Sequence, residues 1–227
     1  MSAPDAMAFD DADRAALVAG ARAIGTSGMV VGSAGNLSLR RADRMLVTPR
    51  GAELEDIDPR DLVDVSLADG SVAADHRSDS RPSSESPLHR AVYATTDARA
   101  IVHTHAHYAT IVGTLVDELP AIHYAIAALG GPVRVARYET FGSDELAGAV
   151  SEALEGRKAA LMANHGAVVV GRDVDQAVSL AVTLEWVASV YYHAIVAGTP
   201  RVLSEDHLDA VRAQVQSLDY AIAGPQA

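Results

Sequence analysis

Ile101-Val102-His103-Thr104-His105 is the stretch around which the chain is organised. Residues two apart in an extended strand point to the same face, so His103 and His105 aim both imidazoles at one point. The preceding residues 98–102 read as a buried strand, which delivers the two side chains at a fixed depth. Sixty residues on, His165 stands between the apolar segments 159–162 and 167–170, with Gly166 beside it to allow a sharp turn or a close backbone approach. A zinc-type ion held for catalysis takes about three protein ligands and keeps one position open. His103, His105 and His165 are the candidate set, although a His-x-His pair alone also fits a strand with one polar face.

The chain has 227 residues, 49% of them hydrophobic, enough for a substantial core. One domain over 1–227 is expected, with 1–9 flexible and the tail from about 219 mobile, since no Pro/Ser/Gly linker divides it. The formal charge of -12 and the lack of a basic run argue against a nucleic-acid partner. A small anionic substrate would need a local positive centre, such as a metal or backbone amides. No cysteine is present, so any zinc would be held by nitrogen and oxygen, and disulfides are excluded. That composition fits a reducing cytoplasm. The first residues have neither the basic nor the apolar region of a signal peptide, and no apolar run approaches the ~20 residues of a membrane span. The expected protein is cytoplasmic.

Asp10 or Asp11 is placed to cap a helix to about Ile24, ended by Gly25 and Gly28. A hairpin joins 32–39 to 45–51, and a second, 62–67 to 71–74, turns at Ala68-Asp69-Gly70. Ser86 reads as an N-cap with Pro87 at the first helical position, opening a helix to about Thr96 that leads into the histidine strand. Further helices are expected over 108–116, from Ser143 to near Gly156, and from about Val174 to Ala197. The last of these is opened by Asp173 with Gln176 as a capping box. A final amphipathic helix starts at Ser204 and fades near Leu218.

Gly32-Ser33-Ala34-Gly35-Asn36 reads first as a turn into a strand and second as backbone curled around an anion. Ser83-Ser84-Glu85 lies at a helix start where phosphate oxygens are welcome, though helix capping by itself accounts for the serines. Glu85 suits a helix N-terminus. It also lies about 18 residues before two candidate ligands, within reach of a role as metal ligand or base.

Seven motifs then stand in order: Gly-Ser-Ala-Gly-Asn at 32–36, Thr-Pro-x-Gly at 48–51, Pro-Ser-Ser-Glu at 82–85, His-x-His at 103–105, Ala-Ile-His-Tyr-x-Ile-Ala-Ala-x-Gly-Gly at 121–131, Tyr-x-Thr-Phe-Gly at 138–142, and His-Gly at 165–166. In that order they resemble the class II aldolase/adducin family, on the side of its L-fuculose-1-phosphate aldolases, over roughly 17–195. The resemblance implies an α/β/α sandwich with a largely antiparallel central sheet, in a homotetramer with active sites at subunit interfaces. It implies zinc, one per chain, on His103, His105 and His165, and Glu85 as the catalytic carboxylate. Ser33, Gly35, Asn36, Gly51, Ser83 and Ser84 match phosphate-binding positions, and Tyr124 matches a proton donor from a neighbouring subunit.

The implied activity is that of an aldehyde-lyase cleaving a ketose 1-phosphate, such as L-fuculose 1-phosphate or a similar deoxy-sugar phosphate, to dihydroxyacetone phosphate and an aldehyde. Two features depart from the pattern. Arg50 stands where the aldolases have a hydroxyl residue, so it offers a charged contact to phosphate, or a bidentate one to a carboxylate, unless it pairs with an acidic neighbour at a subunit boundary. The tail aligns poorly, leaving Tyr220 as a candidate second tyrosine. Among the rivals, a decarboxylase is kept open by Arg50, an epimerase has Asp in place of Glu85, and a dehydratase shares the superfamily. A metal-free adducin-like module is disfavoured by the intact histidine and glutamate set. His107 is read as a packing or supporting histidine and His123 as structural, while His76, His89, His193 and His207 are read as surface positions.

Overall fold

The computed structural model describes residues 9–73 and 80–218. Its strands are β1 (Asn36–Arg41), β2 (Arg44–Val47), β3 (Val63–Ser66), β4 (Ala100–Thr104), β5 (Glu118–Leu119), β6 (Val133–Ala136), β7 (Ala159–Met162) and β8 (Gly166–Gly171). They form one sheet in the order β3-β2-β1-β4-β8-β7-β6-β5, antiparallel throughout except for the parallel pair β6 and β7. Helices α1 (Asp11–Thr26), α3 (His107–Gly113) and α5 (Val174–Ala197) pack on one face, and α2 (Ser86–Thr95) and α4 (Asp144–Ala153) on the other. Helix α6 (Glu205–Ser217) lies against the 3-10 segment Tyr124–Leu129. The α/β/α layering and the largely antiparallel sheet are those expected.

Alternation decides which side chain enters which layer. On β4, Ala100 and Val102 join the core under α1 and α5, while Ile101 joins the core under α2 and α4. His103 follows Ile101 by the two-residue period and so arrives on the α2 side. All five β4 residues are buried, since the strand runs between β1 and β8 in the middle of the sheet. Truncating the fully buried Ile101 to alanine would cost roughly 2–5 kcal/mol.

The helix ends qualify several expectations. Asp10 caps α1 in a reciprocal capping box with Asp13, and α1 runs through Gly25 to Thr26 before Gly28 turns at φ 78°. Asp173 accepts from the Gln176 N–H at 2.7 Å, but the Gln176 side chain bonds the Arg172 N–H instead, so the box is half formed. Ser86 is the first helical residue of α2 rather than its cap; Glu85 holds the cap position, and neither side chain caps the helix. The second hairpin keeps its turn with β3 paired to 71–73 through a single bridge, Val65 to Val72, while 74–79 and with them His76 lie outside the described residues. Helix α5, at 24 residues with a mean hydropathy of 1.4 over its most apolar window, is long and apolar enough to cross a membrane by length and composition, which the sequence reading missed. Its Leu180, Leu184, Val187 and Tyr191 are buried in the core, where such a helix also belongs.

Candidate metal centre and active site

The end of β4 and the turn between β7 and β8 bring three imidazoles together. Asn164 takes a left-handed φ of 55° and swings His165 toward β4. The His103, His105 and His165 rings stand 4.8–5.1 Å apart by centroid and nearly perpendicular, at 74–86°. Their ligand atoms and that of Glu85 lie within 4.8 Å of one another. His103 is fully buried, and its Nδ1 faces the Ala167 carbonyl at 3.0 Å. A carbonyl only accepts, so Nδ1 carries the proton and Nε2 turns its lone pair to the cluster. That Nε2 is 2.9 Å from Glu85 Oε2 and 3.1 Å from His105 Nε2. Lone pairs converge there, and they repel unless a proton or a cation lies between them. Burial, with His103 nearby, holds His165 below the ordinary imidazole range and His105 down at about 4. Neutral imidazoles are the form that binds a metal, so the donor set fits a divalent ion held by nitrogen and oxygen.

Glu85 reaches the cluster because its backbone, at φ -98° and ψ 11°, opens α2 without using the carboxylate as a cap. Oε2 accepts from Asn36 Nδ2 at 2.9 Å, while Oε1 is buried, has no hydrogen-bond partner among the described residues, and stands 3.4 Å from His165 Nε2. Burial pushes this carboxyl up, but a proton shared with His103 or His165 while no cation is bound, together with the Asn36 N–H, outweighs it and holds the carboxyl well below the usual carboxylate range. It is ionised at neutral pH.

A cavity of about 370 Å³ opens over this cluster, lined by Ser33, Gly35, Asn36, Arg50, Gly51, Ser83, Ser84, Glu85, His105 and His165. His103, wholly buried, does not line it. Buried Thr48 joins the three loops: its Oγ1 accepts from the Leu37 N–H at 3.2 Å, and its carbonyl accepts from the Ser83 N–H at 3.3 Å. The Arg50 N–H adds a bond to the Arg81 carbonyl at 2.8 Å. Arg50 itself is exposed, and among the described residues its guanidinium makes no ion pair. Of the two glycines lining the cavity, Gly35 allows the closer approach, since at φ 117° a Cβ would stand 2.6 Å from Val30 and 3.2 Å from the His103 carbonyl. The Asn36 side chain, only 4% exposed, is turned down to Glu85 rather than up into the cavity.

Other placements depart from the sequence reading. Tyr124 is 59% exposed and lies away from the cavity of its own chain, its ring 4.4 Å from that of His123. His123 is structural, as read, accepting the Ala125 N–H. Tyr220 lies outside the described residues. His107 is exposed at the start of α3, so it supports nothing in the site. His89, read as a surface position, is instead wholly buried, because α2 turns it onto the sheet beside Leu88, Val92 and Tyr93. Its Nε2 is 2.6 Å from Asn36 Oδ1 and its Nδ1 2.6 Å from Ser38 Oγ, which in turn is 2.8 Å from the Tyr93 hydroxyl. Burial drives the His89 ring down to about 3, so it is neutral. Tyr138, Phe141 and Asn164 also line the cavity; the Tyr-x-Thr-Phe-Gly motif was the available signal for the first two.

Glu185 went unread as well. From α5 its two oxygens accept the Tyr108 and Ala109 N–H groups at 2.8 Å each, closing the start of α3, which has no side-chain cap of its own. This ties the chain three residues beyond His105.

Comparison with known proteins agrees with this geometry. The family described as "Class II Aldolase and Adducin N-terminal domain" matches residues 15–192. A 5-methylthioribulose-1-phosphate/5-deoxyribulose-1-phosphate aldolase of Rhodospirillum rubrum is 38% identical over 200 residues, covering 87% of this chain and 88% of its own. A 5-deoxy-D-ribulose 1-phosphate aldolase of Bacillus thuringiensis serovar kurstaki is likewise 38% identical over 200 residues, covering 87% and 92%. A solved L-fuculose 1-phosphate aldolase superposes with a TM-score of 0.87 at 32% identity, over 93% of this chain and 99% of that one. The chain belongs to the class II aldolase and adducin family and is an enzyme of its metal-dependent aldolase branch, a lyase.

Proposed function

We propose that this protein reversibly cleaves a ketose 1-phosphate to dihydroxyacetone phosphate and an aldehyde, using one zinc-type ion per chain held by His103, His105 and His165. The substrate class is L-fuculose 1-phosphate or a similar deoxy-pentulose or deoxy-hexulose 1-phosphate, in line with the names of the relatives. The observation that carries the reading is the Glu85 carboxylate lining the cavity beside the three imidazoles, with Oε2 2.9 Å from His103 Nε2 and Oε1 buried without a hydrogen-bond partner among the described residues.

A divalent ion in this site supplies a Lewis acid for the substrate's carbonyl and hydroxyl oxygens. The remaining work falls to side chains. In cleavage the C3–C4 bond breaks, the C4 hydroxyl gives up its proton and becomes the aldehyde, and C3 receives a proton; Glu85 is placed to manage the proton on C3. In the condensation direction Glu85 removes that proton and a tyrosine returns one to the aldehyde-derived oxygen. Tyr124 is the candidate tyrosine; its exposure suits donation into the site of a neighbouring subunit, as a homotetramer would require. Tyr220 is the second candidate. Ser33, Gly35, Gly51, Ser83 and Ser84 line the part of the cavity that would take the phosphate, with the Asn36 side chain held beneath them by Glu85 and His89 and Arg50 adding charge in a chain whose net charge is -12.

The test is release of dihydroxyacetone phosphate by metal-loaded protein from 5-deoxyribulose 1-phosphate, 5-methylthioribulose 1-phosphate and L-fuculose 1-phosphate. Cleavage of at least one is expected, and turnover of none sinks the reading. Carbon dioxide release from a carboxylated hydroxy-ketone would instead assign Arg50 to a carboxylate.

A further inference from the structure

Glu85 lines the cavity, and the protein interior behind it is more organised than packing requires. Asn36 Nδ2 donates to Glu85 Oε2 across 2.9 Å. The other end of that amide, Oδ1, is therefore an acceptor, and the atom 2.6 Å away, His89 Nε2, must carry a proton. A neutral imidazole has a single N–H. Nδ1 is then bare and takes the Ser38 hydroxyl proton across 2.6 Å. Ser38 Oγ in its turn accepts from the Tyr93 hydroxyl at 2.8 Å. The alternative acceptor for Tyr93, the Arg99 carbonyl, is 3.5 Å away, a poor competitor at that distance. Each proton in the chain from Tyr93 to Glu85 thus has one position, and all run toward the carboxylate.

We infer that His89 is a positioning residue of the active site: held by Ser38 and Tyr93 in its Nε2–H form, it locks the Asn36 amide with its N–H toward Glu85 Oε2 and leaves Oε1 as the oxygen that works on substrate. An amide flipped by half a turn would set its carbonyl oxygen against Oε2 and its N–H against the His89 N–H. Both contacts are repulsive, and with all four relay side chains buried no water is at hand to relieve them. The asymmetry of the carboxylate follows. Oε2 is anchored by a donor, whereas Oε1 is buried without one, the condition of an atom kept for a reaction partner. Because Ser38 and Asn36 sit on β1 opposite Ile101 and His103 of β4, the lock is referenced to the strand that carries the metal-site histidines.

The rate measurements rest on the aldolase reading, so the first measurement is independent of it. Nitrogen-15 NMR of the histidine rings in metal-free protein at neutral pH should find His89 with a protonated Nε2 and a bare Nδ1; an Nδ1–H tautomer or an imidazolium overturns the lock, whatever the substrate. Kinetics then separate positioning from packing. His89→Gln keeps a donor near the Nε2 position, whereas His89→Asn keeps only an acceptor near Nδ1. With metal content and KM retained, kcat should fall about tenfold to a hundredfold in His89→Asn, the range of a charge-assisted hydrogen bond, and be largely restored in His89→Gln. In an Asn36→Ala background, His89→Asn should slow the enzyme no further, since His89 acts through Asn36. Equal losses in the Gln and Asn variants, or additive losses with Asn36→Ala, would reduce His89 to a packing residue.

Discussion

Replacing Gly166 with alanine tests whether the two histidine-bearing segments are held together by backbone contact. A Cβ at this position would stand 2.2 Å from the Thr104 carbonyl oxygen and 3.2 Å from His105 Cδ2. Close carbon–oxygen contacts sit at about 3.3 Å, so the turn and the end of β4 must part by about 1.1 Å. Neither side yields easily, because Thr104 pairs with Ala167 and β4 is enclosed by β1 and β8. Functional constellations tolerate about 0.5 Å of displacement, so His105 and His165 cannot both keep their places. Folding should weaken by about 1–3 kcal/mol, the usual cost of forcing an extra methyl into a packed site. Metal affinity should fall by at least about tenfold to a hundredfold, as for other disturbances just outside a metal's ligands. Thermal unfolding of the metal-free protein reads the first quantity, and chelator competition reads the second. A Gly166→Ala protein with lowered stability but wild-type affinity would refute the reasoning, since the strands would have parted without moving the imidazoles.

Glu85→Gln should keep fold and metal while losing about a hundredfold or more in kcat; wild-type turnover would place the proton transfer elsewhere. Glu185→Ala strands the Tyr108 and Ala109 N–H groups at the start of α3 and should cost about 1–3 kcal/mol in urea unfolding, with an unchanged midpoint showing that water replaces the carboxylate. His89 titrates at about 3 when folded against an ordinary 6.5. The unfolded chain therefore binds more protons, and stability present above 6.5 is lost as pH falls toward 3, by up to about 1.4 kcal/mol per unit from this ring; urea midpoints of metal-free wild type and His89→Gln across that window should diverge, and parallel curves would contradict the buried neutral ring. Arg50→Ala should raise KM for phosphorylated ketoses about tenfold or more and leave unphosphorylated analogues alone; an unchanged KM would remove Arg50 from the phosphate.

What the sequence made legible was whatever local periodicity and backbone chemistry specify. The spacing of His103 and His105 required a common face, and the sheet supplies it with Ile101 showing which face. The glycine at 166 signalled a close approach, and Thr104 is what approaches. Ser86 misled because a serine before proline fits a cap as well as a first turn, and the helix starts one residue earlier, with Glu85 at the cap position and its carboxylate free of capping.

Glu185 had no local signal at all, since its partners lie 76 and 77 residues away. His89 is the more instructive miss. It stands three and four residues before Val92 and Tyr93, on the same stripe of α2, so its burial was readable from the helical period. A buried imidazole must find hydrogen-bond partners for both nitrogens, and that demand was readable too. Which partners meet it was not, because Asn36 and Ser38 come from a strand some fifty residues earlier, and their facing His89 depends on the β1–β4 register. That register sets Asn36 opposite His103, so one pairing choice both aims the metal-site strand and supplies the amide that holds Glu85. A one-residue slip would turn Asn36 and Ser38 to the opposite face, leaving the histidine pair intact and the carboxylate without its anchor.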